Sequence, residues 1–166
     1  AIFDGFAKAD GRSARDLFLK AIELNPRYGK AIATVALTHV IDAVFGHSDN
    51  LPETWENAEK YANLAIERDD GEAWGHWALG VFYLYRNRHD RAIAELSRAL
   101  ELNPNDADPM TDYAMILSYA GQREKAIEMA HKAMRLNPHN PSWYVMQYGQ
   151  ILFDDRRYGD AVSALE

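Results

Sequence analysis

Three copies of Leu-Asn-Pro punctuate this 166-residue chain, ending at Pro26, Pro104 and Pro138, and Asp70 closes a matching Glu-Arg-Asp-Asp. Asp70 to Pro104 and Pro104 to Pro138 are both 34 residues, while Pro26 to Asp70 is 44. The residue before a proline resists helical geometry, so each Leu-Asn-Pro stops a helix. A fixed period with room for two helices points to stacked hairpins, each too small to bury its own apolar face.

The unit 73–104 shows the pattern most clearly. Trp74, Trp77, Val81, Leu84 and Tyr85 recur at helical spacing, and Leu79, Phe82 and Tyr83 fill a second stripe. A helix over 73–86 is therefore apolar around most of its circumference. The segment 89–102 has one apolar face, Ala92, Ile93, Leu96, Ala99 and Leu100, with Arg91, Glu95, Arg98 and Glu101 outside. Gly80 and Ala92 remove bulk where the two helices touch.

An alanine marks the second helix of each unit at Ala14, Ala58, Ala92, Ala126 and Ala161. The pattern predicts hairpins 27–45/52–68, 73–86/89–102 and 107–120/122–136, preceded by a helix over 11–24 whose own partner ends within 1–9. Pro141 opens a last first helix, and 157–166 is an unfinished second one. The ten extra residues fall around 46–51, inside one hairpin, where they lengthen both helices. Gly46 stops the first of these, and Ser48, Asp49 and Asn50 offer capping oxygens ahead of Pro52. Asn105 and Asp106 are candidate N-caps further on, and Gly121 a candidate C-cap.

The chain resembles the tetratricopeptide-repeat family, whose 34-residue unit carries a Trp, Leu-Gly, Tyr, Ala, Phe, Pro pattern. Leu79-Gly80, Tyr83, Ala92, Leu96, Ala99 and Pro104 fit it in register, with His76 at the usual Trp place and Trp77 beside it. Met110, Tyr113-Ala114, Leu117, Ala126, Ala130, Ala133 and Pro138 follow in the next unit, then Tyr148-Gly149, Leu152 and Ala161. The resemblance implies an all-α, right-handed superhelix of antiparallel helix hairpins with about four repeats. These are a partial repeat at 1–26, a repeat with the insertion at 27–70, repeats at 71–104 and 105–138, and a truncated one at 139–166. Together they form one domain, expected to be a piece of a longer protein.

A net charge of −7 with both signs mixed along the outer helices argues against nucleic acid or an anionic membrane as partner. There is no cysteine, which suits a reducing compartment and a cytoplasmic location. No catalytic motif, phosphate loop or metal-ligand spacing appears, so no enzyme activity, cofactor or metal is expected of this chain. His76, inside the central helix, reads as a packed or hydrogen-bonded histidine. Asp154-Asp155 and Arg156-Arg157 read as a solvated helix end and a turn surface.

In this family the first helices of successive units line the concave face. Projected onto this chain, the wall takes in Tyr28, Val35 and His39, then Trp74, Trp77, Val81 and Tyr85. It continues with Asp108, Thr111, Met115 and Tyr119, then Trp143, Met146, Gln150 and Phe153. Trp and Tyr supply large contact areas at low entropy cost, and Met adapts to irregular partners. The competing reading of each aromatic is packing between neighbouring helices. The wall lacks the Lys, Arg and Asn clamp with which one variant of the family holds a C-terminal carboxylate, so an apolar or amphipathic protein segment fits better, with self-association as a second mode.

A narrower resemblance rests on LNPNDAD at 102–108, AMRLNPHNPSWY at 133–144, DDRRYGDAVSALE at 154–166 and FGHSDN at 45–50. These look like the C-terminal repeats of bacterial class III adenylate/guanylate cyclase-type signalling proteins. The resemblance implies a regulatory or scaffolding role beside a cyclase domain that is not in this chain. The alternatives are a homo-oligomerisation module of a bacterial transcriptional regulator and a free-standing scaffold.

Overall fold

The computed structural model describes residues 8–165, and its elements follow the repeat frame. In order they are α1 Lys8–Leu24, α2 Gly29–Val44, α3 Leu51–Arg68, α4 Ala73–Tyr85, α5 His89–Leu102, α6 Ala107–Tyr119, α7 Arg123–Leu136, α8 Ser142–Asp154 and α9 Tyr158–Leu165. Among the described residues there is no strand. Residues 1–7 lie outside them, and with them most of the segment expected to end a preceding first helix; its last two residues belong to α1. The chain divides into two compact units, one ending at Leu102 and the other beginning at Asn103.

The first unit holds α1 and the hairpins α2/α3 and α4/α5. The insertion is shared out along its first hairpin. α2 has 16 residues against 13 in α4, α3 has 18 against 14 in α5, and the remainder lengthens the connection at 45–50. Asn50 is the N-cap of α3: its side chain accepts from the Glu53 N–H and donates to the Glu53 carboxylate, with Pro52 in the first turn. Asp106 caps α6 in the second unit.

Each of the four hairpins reverses through the same backbone turn. The residue after the helix cap has positive φ: Gly46 (71°), Asn87 (55°), Gly121 (78°) and Arg156 (60°). The next N–H then reaches back to a carbonyl five residues earlier: His47 to Asp42, Arg88 to Tyr83, Gln122 to Leu117 and Arg157 to Leu152, all at 2.8–2.9 Å. This satisfies carbonyls that the helix end would leave unpaired. Glycine suits the position, asparagine tolerates it, and arginine holds it under strain.

Alanines and glycines set the helix separations. Ala58, Ala92, Ala126 and Ala161 are all buried. A Cβ placed on Gly80 would lie 2.6 Å from Leu96 Cγ, so α4 and α5 meet at this glycine as the spacing predicts. In the second unit Gly149 meets Leu165 in the same way, at 2.9 Å.

Polar contacts finish the first unit. Arg15 of α1 donates to Thr38 Oγ1 (2.8 Å), the Thr38 carbonyl (3.1 Å) and Asp42 Oδ2 (2.5 Å), and Asp42 is only 5% exposed. α1 has no fully buried apolar side chain among the described ones, and the Arg15–Asp42 ion pair ties it to α2. His76 hydrogen-bonds Glu95 across α4/α5 at 2.8 Å, the packed role its position implies.

Candidate partner-binding surface

In the first unit α2 and α4 are neighbours, and one contact fixes which faces they share: Lys30 Nζ sits 3.9 Å over the Trp74 ring. At about 100° per residue, Thr34, Leu37 and Ile41 fall on the Lys30 side of α2. That stripe is also where α2 is least buried. On α4 the same rule puts Ala78, Val81 and Tyr85 in line with Trp74, with Trp77 alongside. Trp74 is half-buried and meets Trp77 edge to face at 4.8 Å. Tyr85 stands 44% exposed at the far end, whereas Trp77 and Val81 are 8% and 6% exposed and form floor rather than contact surface.

Three residues projected onto this wall, His39, Val35 and Tyr28, do not lie on the Lys30 stripe. His39 lies nine residues from Lys30, about half a turn round α2. Its ring stacks on Tyr61 of α3 at 5.9 Å, and its Nδ1 is buried without a hydrogen bond among the described residues. Burial, then the Arg15 guanidinium, lowers its pKa to about 4, partly opposed by Asp42. His39 is thus a neutral packing residue between α2 and α3. Val35 is fully buried. Tyr28 is exposed, but it precedes α2 as its N-cap residue. The side chains that do share the Trp74 side, Lys30, Thr34, Leu37 and Ile41, were legible in principle: counted from Pro26, Lys30 holds the place that Trp74 holds after Asp70.

In the second unit the seam between α6 and α8 is polar. The Tyr144 hydroxyl donates to Asp108 Oδ1 at 2.5 Å, and Gln147 Nε2 donates to Asp112 Oδ1 at 2.9 Å. Asp108 and Asp112 are one helical turn apart and so lie on the same side of α6. Burial, then the bond to Asp108, pushes the Tyr144 hydroxyl pKa well above the usual phenol range. Trp143 packs edge to face on Tyr144 at 4.4 Å. Of the projected wall, Met115 and Thr111 are buried, Trp143 and Met146 half-buried, and Tyr119 and Gln150 exposed. Gln150 donates to Asp154 at 2.8 Å, and Phe153 stands 57% exposed against Tyr158. Asp112, Tyr144 and Gln147 escaped the sequence reading, although two aspartates at i, i+4 inside an otherwise apolar helix were a visible signal.

Each unit therefore offers aromatic rings on its first helices, bordered by Lys30 in one and by carboxylates in the other. Among the described residues no three His, Asp or Glu side chains converge as a metal site, and no helix is long and apolar enough to cross a membrane.

The tetratricopeptide-repeat family profile matches residues 83–144. Tetratricopeptide repeat protein 6 of Homo sapiens is 24% identical over 157 residues, which are 95% of this chain and 28% of that protein. The solved structure of TTC0263, a thermophilic repeat protein of Thermus thermophilus, matches with a TM-score of 0.64 at 18% identity, over 89% of this chain and 71% of that one. YrrB, a repeat protein with an unusual peptide-binding site, matches with a TM-score of 0.58 at 18% identity, over 94% of this chain and 75% of that one. The profile covers the segment 83–144, and the chain shares the all-α fold of these solved repeat proteins. It spans about a third or less of the length of the curated relatives it matches.

Proposed function

We propose that this tetratricopeptide-repeat chain is a protein-interaction module that takes an apolar or amphipathic segment on the first helices of its repeats. The observation that carries the reading is the Lys30–Trp74–Tyr85 face of the first unit, where a cation sits on a half-buried indole and an exposed phenol completes the stripe. Large aromatics of this kind dominate binding energy at interfaces. The peptide-binding site named for YrrB supports a peptide as occupant. A net charge of −7 supports a protein partner over nucleic acid or an anionic membrane.

The parent is a cytoplasmic bacterial signalling protein of the adenylate/guanylate cyclase type, with these repeats as its regulatory or scaffolding part. That placement rests on the sequence phrases quoted above, and the gene upstream of Ala1 tests it: a DNA-binding domain there would favour the regulator alternative. The face itself is tested with an array of amphipathic peptides probed with the chain and with a Trp74→Ala/Tyr85→Ala variant. Retained peptides should lose at least about ten-fold in affinity, since two such anchors each contribute more than about 1 kcal/mol. Equal binding by both proteins would overturn the assignment.

A second reading, self-association, is favoured by one specific feature. Tyr158, Val162 and Leu165 of α9 lie at i, i+4 and i+7 and are each more than half exposed. A patch of that kind is a candidate contact between copies.

A further inference from the structure

The first unit contains a cleft of about 400 Å³ away from the Trp74 face, between the start of α3 and the end of α4. Its floor is Leu51, Trp55 and Phe82, the last two edge to face at 5.9 Å. Phe82 and Arg86 lie eight and twelve residues beyond Trp74, about 80° and 120° round the helix, so the cleft opens in a different direction from the Lys30–Trp74 surface.

The insertion builds one wall. Measured from the alanine that marks each second helix, α5 begins three residues before Ala92, but α3 begins seven before Ala58. That extra turn supplies the Leu51 and Pro52 part of the lining, next to Trp55. The volume is within the range of formed binding sites.

Charge decides the occupant. Glu56 and Glu59 line the cleft from α3, and Arg86 and Arg88 line it from the end of α4. The Arg86 guanidinium lies 5.4 Å over Trp55, and Arg88 faces Tyr83. None of these four charges takes part in an ion pair among the described residues, although both signs border one cavity. The cleft therefore holds carboxylates and guanidiniums apart over an aromatic floor.

We propose that this cleft is a second docking site, for a partner segment that presents a bulky apolar side chain between an acidic and a basic one. The apolar side chain lies on Trp55 and Phe82. The partner's carboxylate meets Arg86 and Arg88 as charge-assisted hydrogen bonds, and its ammonium or guanidinium meets Glu56 and Glu59. Recognition is by complementary charge of both signs, which fixes the direction of the segment as well as its position.

The test is an array of nine-residue peptides with a central Leu or Phe and one Asp and one Lys placed at every pair of the remaining positions, beside neutral controls. Some placements should bind the chain at least ten-fold better than their controls. Arg86→Ala/Arg88→Ala should remove the preference for Asp and keep that for Lys, and Glu56→Ala/Glu59→Ala should do the reverse. Trp74→Ala/Tyr85→Ala should leave both preferences intact. All four charges are at or near the surface, so the variants are expected to fold, and circular dichroism verifies it. If no peptide responds to either charge pair, the cleft is not a docking site. Peptides that respond only to Trp74→Ala/Tyr85→Ala would overturn this proposal while leaving the first binding face standing.

Discussion

Replacing a hydrogen of Gly80 with a methyl group should destabilise the chain, and removing Leu96 should reverse the sign of that effect. The added Cβ would lie 2.6 Å from Leu96 Cγ, 3.0 Å from Cδ2 and 3.2 Å from the Leu96 backbone nitrogen. Ordinary carbon contacts are about 3.5–4.0 Å, so the first overlap is about 1 Å deep. Leu96 is fully buried and the overlap falls on its branch carbon, so α4 and α5 have to move apart. Overpacking of this kind costs about 1–3 kcal/mol, and replacing glycine by alanine inside a helix returns about 1. Gly80→Ala should therefore lose about 1 kcal/mol net, and Gly80→Leu about 2–3. Leu96→Ala alone should lose about 2–5 kcal/mol through its cavity. In that background both side-chain overlaps are gone and only the 3.2 Å approach to the residue 96 backbone nitrogen remains, so Gly80→Ala should stabilise by up to about 1 kcal/mol. Urea unfolding followed by far-ultraviolet circular dichroism measures all four proteins. Gly159→Ala is the control, because a Cβ there meets nothing within 4 Å. Equal losses from Gly80→Ala in both backgrounds would refute the account, as would a gain in the unmodified chain.

Three further outcomes are expected. The lowered pKa of His39 (about 4) means that the unfolded chain binds its proton first as pH falls, so stability should drop from about pH 6.5 to 4, by roughly 1–2 kcal/mol after allowing for the solvated part of the ring, and a His39→Phe variant compared by urea midpoint at pH 7 and pH 4.5 should lose less. Arg156→Gly should stabilise by about 1 kcal/mol, since it relieves a left-handed backbone at a residue with a Cβ; a thermal scan showing a lower midpoint would contradict this. The exposed side of α9 should drive concentration-dependent association that Val162→Lys weakens, and light scattering that finds a monomer across micromolar concentrations would exclude it.

Helix ends were the most legible part of the chain because their signals are local. Leu-Asn-Pro, Asn50 before Pro52, and Gly121 each act within a turn of themselves, and the observed bounds fall within a few residues of the expected ones. Gly80 was equally readable, since period and apolar pattern together placed it on the α5 side. Rotation of α2 was not read correctly. His39 does not fall on the wall, because stepping back from Trp74 by the 44-residue interval, like counting from Pro26, selects Lys30. Ion pairs and polar contacts between helices, Arg15 with Asp42 and Tyr144 with Asp108, lie 27 and 36 residues apart and depend on how neighbouring helices turn towards each other. No local pattern encodes that. Exposure of the aromatics was likewise split, with Trp77 buried and Tyr85 open on one stripe, because depth depends on what packs above each turn.

The repeated reversal at Gly46, Asn87, Gly121 and Arg156 bears on how the chain finds its structure in time. Each hairpin closes by a backbone bond spanning five residues, so its two helices meet after a short search and most contacts join near neighbours in sequence. Chains with such local contact patterns fold fast, and repeat arrays can begin folding at any unit and propagate outward. The reversals are not equally easy to form. The glycine turns at Gly46 and Gly121 adopt their geometry freely, while the turn at Arg156 asks an arginine to enter a conformation it disfavours by about 1–2 kcal/mol. Assembly should therefore start in the α2/α3 and α6/α7 hairpins and reach α8/α9 last, leaving the end of the chain as the segment that opens first and closes last.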